Sequence, residues 1–147
     1  MSRDDVLVRW LADREALRAM PQRYARAADA RDVEAVAALL HPDGVVEGLR
    51  GRADVPAYLE TLRAPKAFEQ SMHVLADPLI ELEPGADAGT MDTYAVVHQL
   101  GRVAPPHDDQ TMGLRYLDRV ERVGDAWLIR HRRVELRWQR AGSRPPA

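Results

Sequence analysis

The chain has 147 residues, of which 46% are hydrophobic and 30% charged, and this size and composition are typical of one globular domain. The formal net charge of -2 gives no electrostatic case for nucleic acid, and no apolar run approaches the roughly 20 residues of a membrane span. Cysteine is absent, which excludes disulfides, thiolate metal ligands and thiol nucleophiles. Because Met1–Asp5 has acid where a secretion signal needs base and an apolar core, we expect a cytoplasmic protein with no membrane partner.

Helical periodicity dominates the amino-terminal part of the chain. Asp13 and Asp32 are placed as helix N-caps, and Pro21 predicts a kink or a split in the segment that contains it. Pro42-Asp43-Gly44 predicts the end of a helix. The predicted helices are 6–12, 14–30, 33–40 and 53–62, with a short strand over 45–49.

From residue 70 onward the pattern changes to strands, with a tight turn at Gly124-Asp125. The predicted strands are 70–76, 79–83, 90–103, 111–123 and 126–140, with a loop over 104–110 and a disordered tail over 141–147. Helices followed by antiparallel strands indicate a single α+β domain with helices on one face of one sheet. Strands of more than about ten residues are unusually long, so we expect a strongly bent sheet that encloses a cavity.

Three residues are candidates for chemistry. Asp29 lies at the helix end where a carboxylate is disfavoured by the dipole, and residues that break a local rule are enriched at sites. His73 and His98 lie in apolar strands, where an imidazole could move protons near neutral pH. The alternatives are a turn-forming role for Asp29 and hydrogen-bonded core positions for the histidines. The histidine and acid spacings do not match a dedicated metal site, so no metal is expected.

The other polar signals are interpreted as structural. No phosphate loop follows from the glycines near residue 48, and Ser71 lacks the context of a nucleophile elbow. His41 and His107 are expected at the surface, and His131 on a solvated strand face. The arginines at 130, 132, 133 and 137 are expected to mark a charged edge strand, although they could also grip an anion, and Trp127 and Trp138 are expected in the core.

A series of short motifs resembles one family. The series comprises Tyr24–Asp32, Asp43–Val46, Gly51-Arg52, Met72-His73, Gly113–Asp118, Gly124–Trp127 and Arg137-Trp138. In order and spacing these motifs resemble the SnoaL-like family of the nuclear transport factor 2-like superfamily, over about residues 13–139. The resemblance implies a cone-shaped, curved antiparallel sheet packed with amino-terminal helices around a pocket, a cystatin-like α+β barrel.

Within that superfamily the chain is most similar to scytalone dehydratase and bile-acid 7α-dehydratase. The resemblance implies that Asp29 and His73 form an acid–histidine pair, with Tyr24 and His98 as further catalytic residues. Substrate contacts are expected from Tyr116, Val134 and Leu136. The chain departs from scytalone dehydratase at Ala28 and Gly48, where that enzyme has tyrosines, and at Tyr116, where it has asparagine. These departures leave the substrate open.

Two functions follow as expectations. The first is a cofactor-free dehydratase or isomerase acting on a small hydroxy-carbonyl, polyketide-like or steroid-like compound. His73 would remove a proton, Tyr24 or Tyr116 would hold the enolate oxygen, and His98 would protonate a leaving hydroxyl. The second is a non-catalytic small-ligand-binding or accessory protein. A third function, an epoxide hydrolase, also fits the fold; it would need an Asp-Arg-Asp relay deep in the pocket, which the sequence does not identify.

The expected partners are a small hydrophobic molecule and further copies of the chain, as a homodimer or homotrimer joined through the outer face of the sheet. One geometric conflict remains in the catalytic set. Residues five apart on an ideal helix point about 140° away from each other. Tyr24 and Asp29 would therefore both face a cavity only if the end of their helix were distorted.

Overall fold

The computed structural model describes residues 1–102 and 108–142. In these residues the helices are α1 (Arg3–Asp29), α2 (Val33–Ala37) and α3 (Val55–Arg63). The strands are β1 (Leu40–Gly48), β2 (Gly51–Asp54), β3 (Phe68–Leu75), β4 (Leu79–Glu81), β5 (Ala88–Gly101), β6 (Asp109–Val123) and β7 (Ala126–Gly142). The described helices do not include one with the length and apolarity that a membrane span requires.

The first helix is continuous, so the prediction of two helices over 6–12 and 14–30 is wrong. Ser2 caps α1 in a reciprocal pair with Asp5, and the helix runs through the buried Pro21. Asp13 does not open a helix because its carboxylate accepts a hydrogen bond from Trp127 Nε1 at 3.1 Å and pairs with Arg122. A tertiary contact therefore uses the side chain that the sequence pattern placed as a cap.

The later helices are shorter than predicted because residues at their ends join the sheet. Asp32 and Asp54 cap α2 and α3 through backbone N–H groups at 3.0 and 2.8 Å. Leu40 belongs to β1, and 51–54 forms β2, which pairs antiparallel with β1. Pro42-Asp43-Gly44 lies within β1 at a shift in register. Gly44 is required there, since a Cβ would lie 2.7 Å from the Arg130 carbonyl oxygen.

The sheet has the order β2-β1-β7-β6-β5-β3, with β4 paired to β5. Helices packed on one curved sheet confirm the predicted α+β class. All pairs are antiparallel except β1 with β7. A hairpin forces antiparallel pairing, but β1 and β7 are separated by most of the chain, so their relative direction is free of that constraint.

The last three strands in chain order, β5, β6 and β7, are long and bent. They contain 14, 15 and 17 residues. Register shifts interrupt the β6–β7 pairing at Gly113/Leu114 and at Arg119/Val120. Such irregularities bend a strand and increase its twist, which curves the sheet around the helices. Strand β7 extends to residue 142, into the segment predicted as a tail. The rest of that tail, residues 143–147, lies outside the described residues. So do residues 103–107, which include the end of the strand predicted over 90–103 and most of the loop predicted over 104–110.

The core has two parts. The larger cluster packs α1 against the sheet around Leu17 and Val120, which have no exposed surface. The smaller cluster lies on β5 and β6 and includes Val97, Met112 and Tyr116. Trp127 is buried as predicted, but Trp138 is 46% exposed because it lies over Gly113 on the outer face, where its ring takes the space of a Cβ. Most of the inward-facing side chains of the smaller cluster line a cavity.

Candidate active site

A cavity of about 300 Å³ opens between the helices and the inner face of the sheet. The carboxyl-terminal part of α1, both short helices and six strands contribute to its wall. The wall is mostly apolar, as illustrated by Val36, Val46, Val97, Met112, Leu114 and Val134. Ala28 and Gly48, the two small residues at which the chain departs from scytalone dehydratase, also line it. An apolar pocket with a few convergent polar groups is typical of a small-molecule site.

Asp29 and His73 meet at the side of this cavity. His73 Nδ1 lies 2.6 Å from Asp29 Oδ1, and the backbone N–H of His73 donates to Oδ2 at 2.9 Å. The Ser71 hydroxyl donates to Oδ1 at 2.8 Å. Three donors thus hold the carboxylate, and the carboxylate holds the imidazole at Nδ1. This arrangement places the ring proton on Nδ1 and the free lone pair on Nε2.

The conflict between Tyr24 and Asp29 is resolved without a distorted helix. Tyr24 lines the cavity, whereas Asp29, the last residue of α1, does not. The Asp29 side chain points to β3, where it contacts Ser71 and His73, and these two residues line the cavity instead. Asp29 can therefore act on a bound molecule only through these two residues.

Three tyrosines cluster beside the histidine. The hydroxyls of Tyr24 and Tyr58 are 2.7 Å apart, and the Tyr24 ring packs edge-on against Tyr116 and His73, with centroid distances of 6.1 and 6.4 Å. Burial, together with the neighbouring Tyr24, raises the pKa of both Tyr58 and Tyr116 above the ordinary phenol value of 10.0. These two phenols consequently remain protonated at neutral pH and can donate hydrogen bonds to an oxygen that gains negative charge.

A buried ion pair packs against two of the tyrosines. Arg132 and Asp118 are 1% and 3% exposed and are joined by two hydrogen bonds of 2.7 and 2.9 Å. The guanidinium lies 4.2 Å from the Tyr24 ring centre and 4.5 Å from that of Tyr116. The prediction of a charged edge strand at this position is wrong, since β7 lies between β1 and β6 in the sheet.

The structure does not bring all predicted residues to the cavity. Tyr116 and Val134 line it, but Leu136 is 46% exposed and does not. His98 lies on the outer face of β5, where its Nδ1 is 3.2 Å from the Thr111 hydroxyl. Alternate side chains of a strand face opposite sides, and Val97 and Gln99 take the cavity side. The prediction that His98 protonates a leaving group is therefore wrong, because its side chain does not line the cavity.

Sequence reasoning also missed residues that the fold assembles here. Tyr58 was not singled out, although its position three residues before Thr61 and four before Leu62 places all three on one helix face along the cavity. Ser71 was dismissed as a nucleophile, yet it orients Asp29. His131 is only partly solvated, with Nε2 2.6 Å from Glu47 Oε2. Among residues 1–102 and 108–142, no group of three or more acidic or histidine side chains is placed to hold a metal ion.

Comparisons with solved structures agree with this architecture. A hexachlorocyclohexane dehydrochlorinase, LinA type 2, superposes with a TM-score of 0.80 at 14% identity, over 90% of each chain. A protein from Novosphingobium aromaticivorans DSM 12444, assigned provisionally as a scytalone dehydratase, gives 0.78 at 19% identity, over 93% of this chain and 95% of that one. A Mycobacterium tuberculosis protein of unknown function gives 0.70 at 23% identity, over 92% and 76%. Similarity at these identities shows the fold.

The family itself is shown by sequence. No curated protein matches the chain. The profile of the SnoaL-like domain matches residues 9–133, which include most of α1, the tyrosines, the Asp29–His73 pair and the buried Arg132. This match confirms the resemblance seen in the motifs. The chain therefore belongs to the SnoaL-like family of the nuclear transport factor 2-like superfamily.

Proposed function

We propose that this protein is a cofactor-free acid–base enzyme, a dehydratase or an isomerase, acting on a small hydroxy-carbonyl compound. The observation that carries the proposal is the His73 ring, bound at Nδ1 to Asp29 at 2.6 Å and facing the apolar cavity. A histidine oriented by a carboxylate is a common general base, and its free nitrogen would face the substrate.

The proposed reaction begins when His73 Nε2 removes a proton from the carbon next to the substrate carbonyl. The electron pair of the broken C–H bond moves into an enolate, whose oxygen accepts a hydrogen bond from Tyr24 or Tyr116. In a dehydratase the enolate re-forms the carbonyl, a C=C bond forms, and the β-hydroxyl leaves as water with the proton that His73 carries. In an isomerase His73 returns that proton to a different carbon. One imidazole serves both steps, which fits a cavity that His98 does not reach.

The substrate class is inferred from the wall and size of the cavity. Drug-sized ligands occupy pockets of roughly 300–1,000 Å³, so a cavity of about 300 Å³ favours a compact molecule. The apolar wall favours a polyketide-like or steroid-like ring system. Two structural neighbours are named as a dehydrochlorinase and, provisionally, a dehydratase. Both names describe elimination of a small acid or water, which is consistent with the proposed reaction.

The test is proton exchange and water loss with a panel of β-hydroxy ketones. Exchange of the α-proton in D2O is followed by NMR, and enone formation by ultraviolet absorbance. We expect His73→Gln to lower both rates by about 10²–10⁴-fold, with an unchanged melting temperature. His98→Gln is the matched control, because it removes an imidazole from the outer face of the same sheet. Equal rates in His73→Gln and the unaltered protein would contradict the proposal.

The alternative is a small-ligand-binding or accessory protein, and the almost wholly apolar cavity wall is compatible with it. Binding without turnover, at equal affinity in the unaltered protein and His73→Gln, would favour this alternative. An epoxide hydrolase is disfavoured, since the only carboxylate bonded to Arg132 among the described residues is Asp118. The relay of two acids and one arginine is therefore incomplete.

We also propose that the protein forms a homodimer or homotrimer through the outer face of the sheet. Val74, Tyr94 and Trp138 lie together on this face, and their exposed fractions are 52%, 58% and 46%. Contiguous exposed apolar surface commonly marks an interface. Light scattering should give the mass of a dimer or trimer, and Tyr94→Glu should reduce it to 16.5 kDa. A monomeric mass for the unaltered protein would contradict this proposal.

A further inference from the structure

The mouth of the cavity is strongly basic, whereas its interior is apolar. Five charged side chains line the cavity, namely Arg31, Asp32, Arg50, Arg52 and Lys66. Arg52 is paired with Glu47 on β1 at 3.1 Å, and Asp32 is used as the cap of α2. Asp32 keeps its negative charge as a cap, so Arg31, Arg50 and Lys66 leave a surplus of positive charge at the mouth of a protein whose net charge is -2.

These three cations are held without acidic side chains, within the described part of the chain. The Arg31 guanidinium donates to the carbonyl oxygens of Phe68 and Glu69, both at 2.7 Å. Lys66 Nζ donates to the Thr61 carbonyl oxygen at 2.9 Å. Arg50 makes no hydrogen bond or ion pair with the residues that the structure describes. Backbone carbonyls thus position two of the cations without an ion pair to an acidic side chain.

The cations are close enough to repel each other. Burial lowers the pKa of Lys66, and the charges of Arg50 and Arg31 lower it further. Arg31 also has a φ of 57°, in the left-handed region where a residue after a helix end is usually glycine. A bound anion would offset the repulsion and would use all three positive charges.

We propose that the ligand of this cavity carries a negatively charged group, a carboxylate or a phosphate, which binds to Arg31, Arg50 and Lys66 at the mouth. The rest of the molecule extends into the apolar cavity toward His73. As a statement about a substrate, this inference rests on the proposed function, and it narrows the substrate to an anionic hydroxy-carbonyl compound. The anion fixes which end enters first, so the reacting carbon is presented to His73 in one orientation.

The test compares two probes of equal shape that differ in charge, naphthalene-2-carboxylate and naphthalene-2-carboxamide. Binding is measured by calorimetry in low salt. Charged hydrogen bonds of about 1.5–3 kcal/mol correspond to an advantage of about tenfold or more for the carboxylate. We expect this advantage to shrink at high salt. Equal affinity for the two probes, or no binding of the carboxylate, would overturn the inference.

Variants locate the charge that matters. Lys66→Gln and Arg50→Gln should each reduce the affinity for the carboxylate several-fold and leave the affinity for the carboxamide unchanged. Arg18→Gln, an exposed position on α1 outside the cavity wall, is the matched control. An equal effect in all three variants would also overturn the inference. Replacing the carboxylate by 2-naphthyl phosphate shows which of the two anions the mouth prefers.

The binding measurement is independent of turnover. It is repeated in His73→Gln, where the preference for the charged probe should persist. A retained preference without proton exchange in the unaltered protein would remove the proposed function and leave the anion site. Proton exchange of neutral hydroxy ketones without any preference for the charged probe would leave the proposed function and remove the anion site.

Discussion

Two acid–base pairs flank Tyr24, and they differ in access. The Arg132–Asp118 pair is sealed, with side chains 2% and 0% exposed, and its guanidinium lies against the tyrosine ring. The His73–Asp29 pair has side chains 13% and 24% exposed, and the histidine lines the cavity. Both pairs are joined by bonds shorter than 2.8 Å. The pairs are similar in geometry, so the difference between them lies in what their free atoms can reach.

That difference separates a structural role from a chemical one. A sealed ion pair is needed because each charge would be costly if the other were removed. A pair with one nitrogen facing a cavity can exchange a proton with a bound molecule. The comparison predicts that changes at Asp29 affect the reaction and that changes at Asp118 affect folding.

The largest expected effect is that of Asp29→Asn on turnover. The amide can still accept a hydrogen bond, but it cannot stabilise the imidazolium that forms when His73 takes a proton. We expect the rate of proton exchange to fall by about 10²–10⁴-fold and the melting temperature to change little. Asp125→Asn, at the exposed β6–β7 turn, is the control. A full rate in Asp29→Asn would make the pair a structural feature like its neighbour.

Asp118→Ala should have the next largest effect, and on stability. It leaves the Arg132 guanidinium buried without its carboxylate, which we expect to lower the free energy of unfolding by about 3–5 kcal/mol. Urea unfolding measures the loss, with the exposed Asp77→Ala as the control. If the variant does not fold, the double variant Asp118→Leu/Arg132→Met should recover stability, because it removes both charges. An unchanged unfolding midpoint in Asp118→Ala would contradict the assigned role of the sealed pair.

A smaller effect is expected from the two tyrosines that pack beside Tyr24. Tyr58 and Tyr116 have a raised pKa in the folded protein, so above pH 10.0 the unfolded chain loses phenol protons that the folded chain keeps. Stability is fully present below that pH and falls as the pH rises toward the folded value, by about 1.4 kcal/mol per pH unit for each tyrosine. Urea unfolding between pH 9 and 11 measures this slope in the unaltered protein and in Tyr116→Phe, where the slope should be smaller. Identical slopes would show that Tyr116 keeps no excess affinity for its proton.

Local signals in the sequence account for the order of helices and strands and for part of the site. The cap Asp32, the tight turn at Gly124 and the alternation along the late strands are properties of neighbouring residues, so they can be predicted from the sequence. Asp54, the cap of α3, lies inside the helix predicted over 53–62. The motif around Tyr24 and Asp29 and its partner at His73 were predicted together through the family resemblance. The structure places Asp29 and His73 in contact, and their catalytic roles stay predictions.

The tertiary structure decided which way each side chain faces. In a strand, a shift of one residue moves every side chain to the other side, and it is the pairing of β5 with β3 and β6 that turns His98 outward and Val97 inward. Burial of Arg132 depends on Asp118, a residue of the adjacent strand, and Tyr58 meets Tyr24 from 34 residues away. These contacts join residues distant in the chain. The sequence by itself therefore determined the order of helices and strands, the expectation of a cavity and, through the family resemblance, the acid–histidine pair. Long-range packing decided the bounds of the elements, the place of Tyr58 beside Tyr24 and the basic mouth of the cavity.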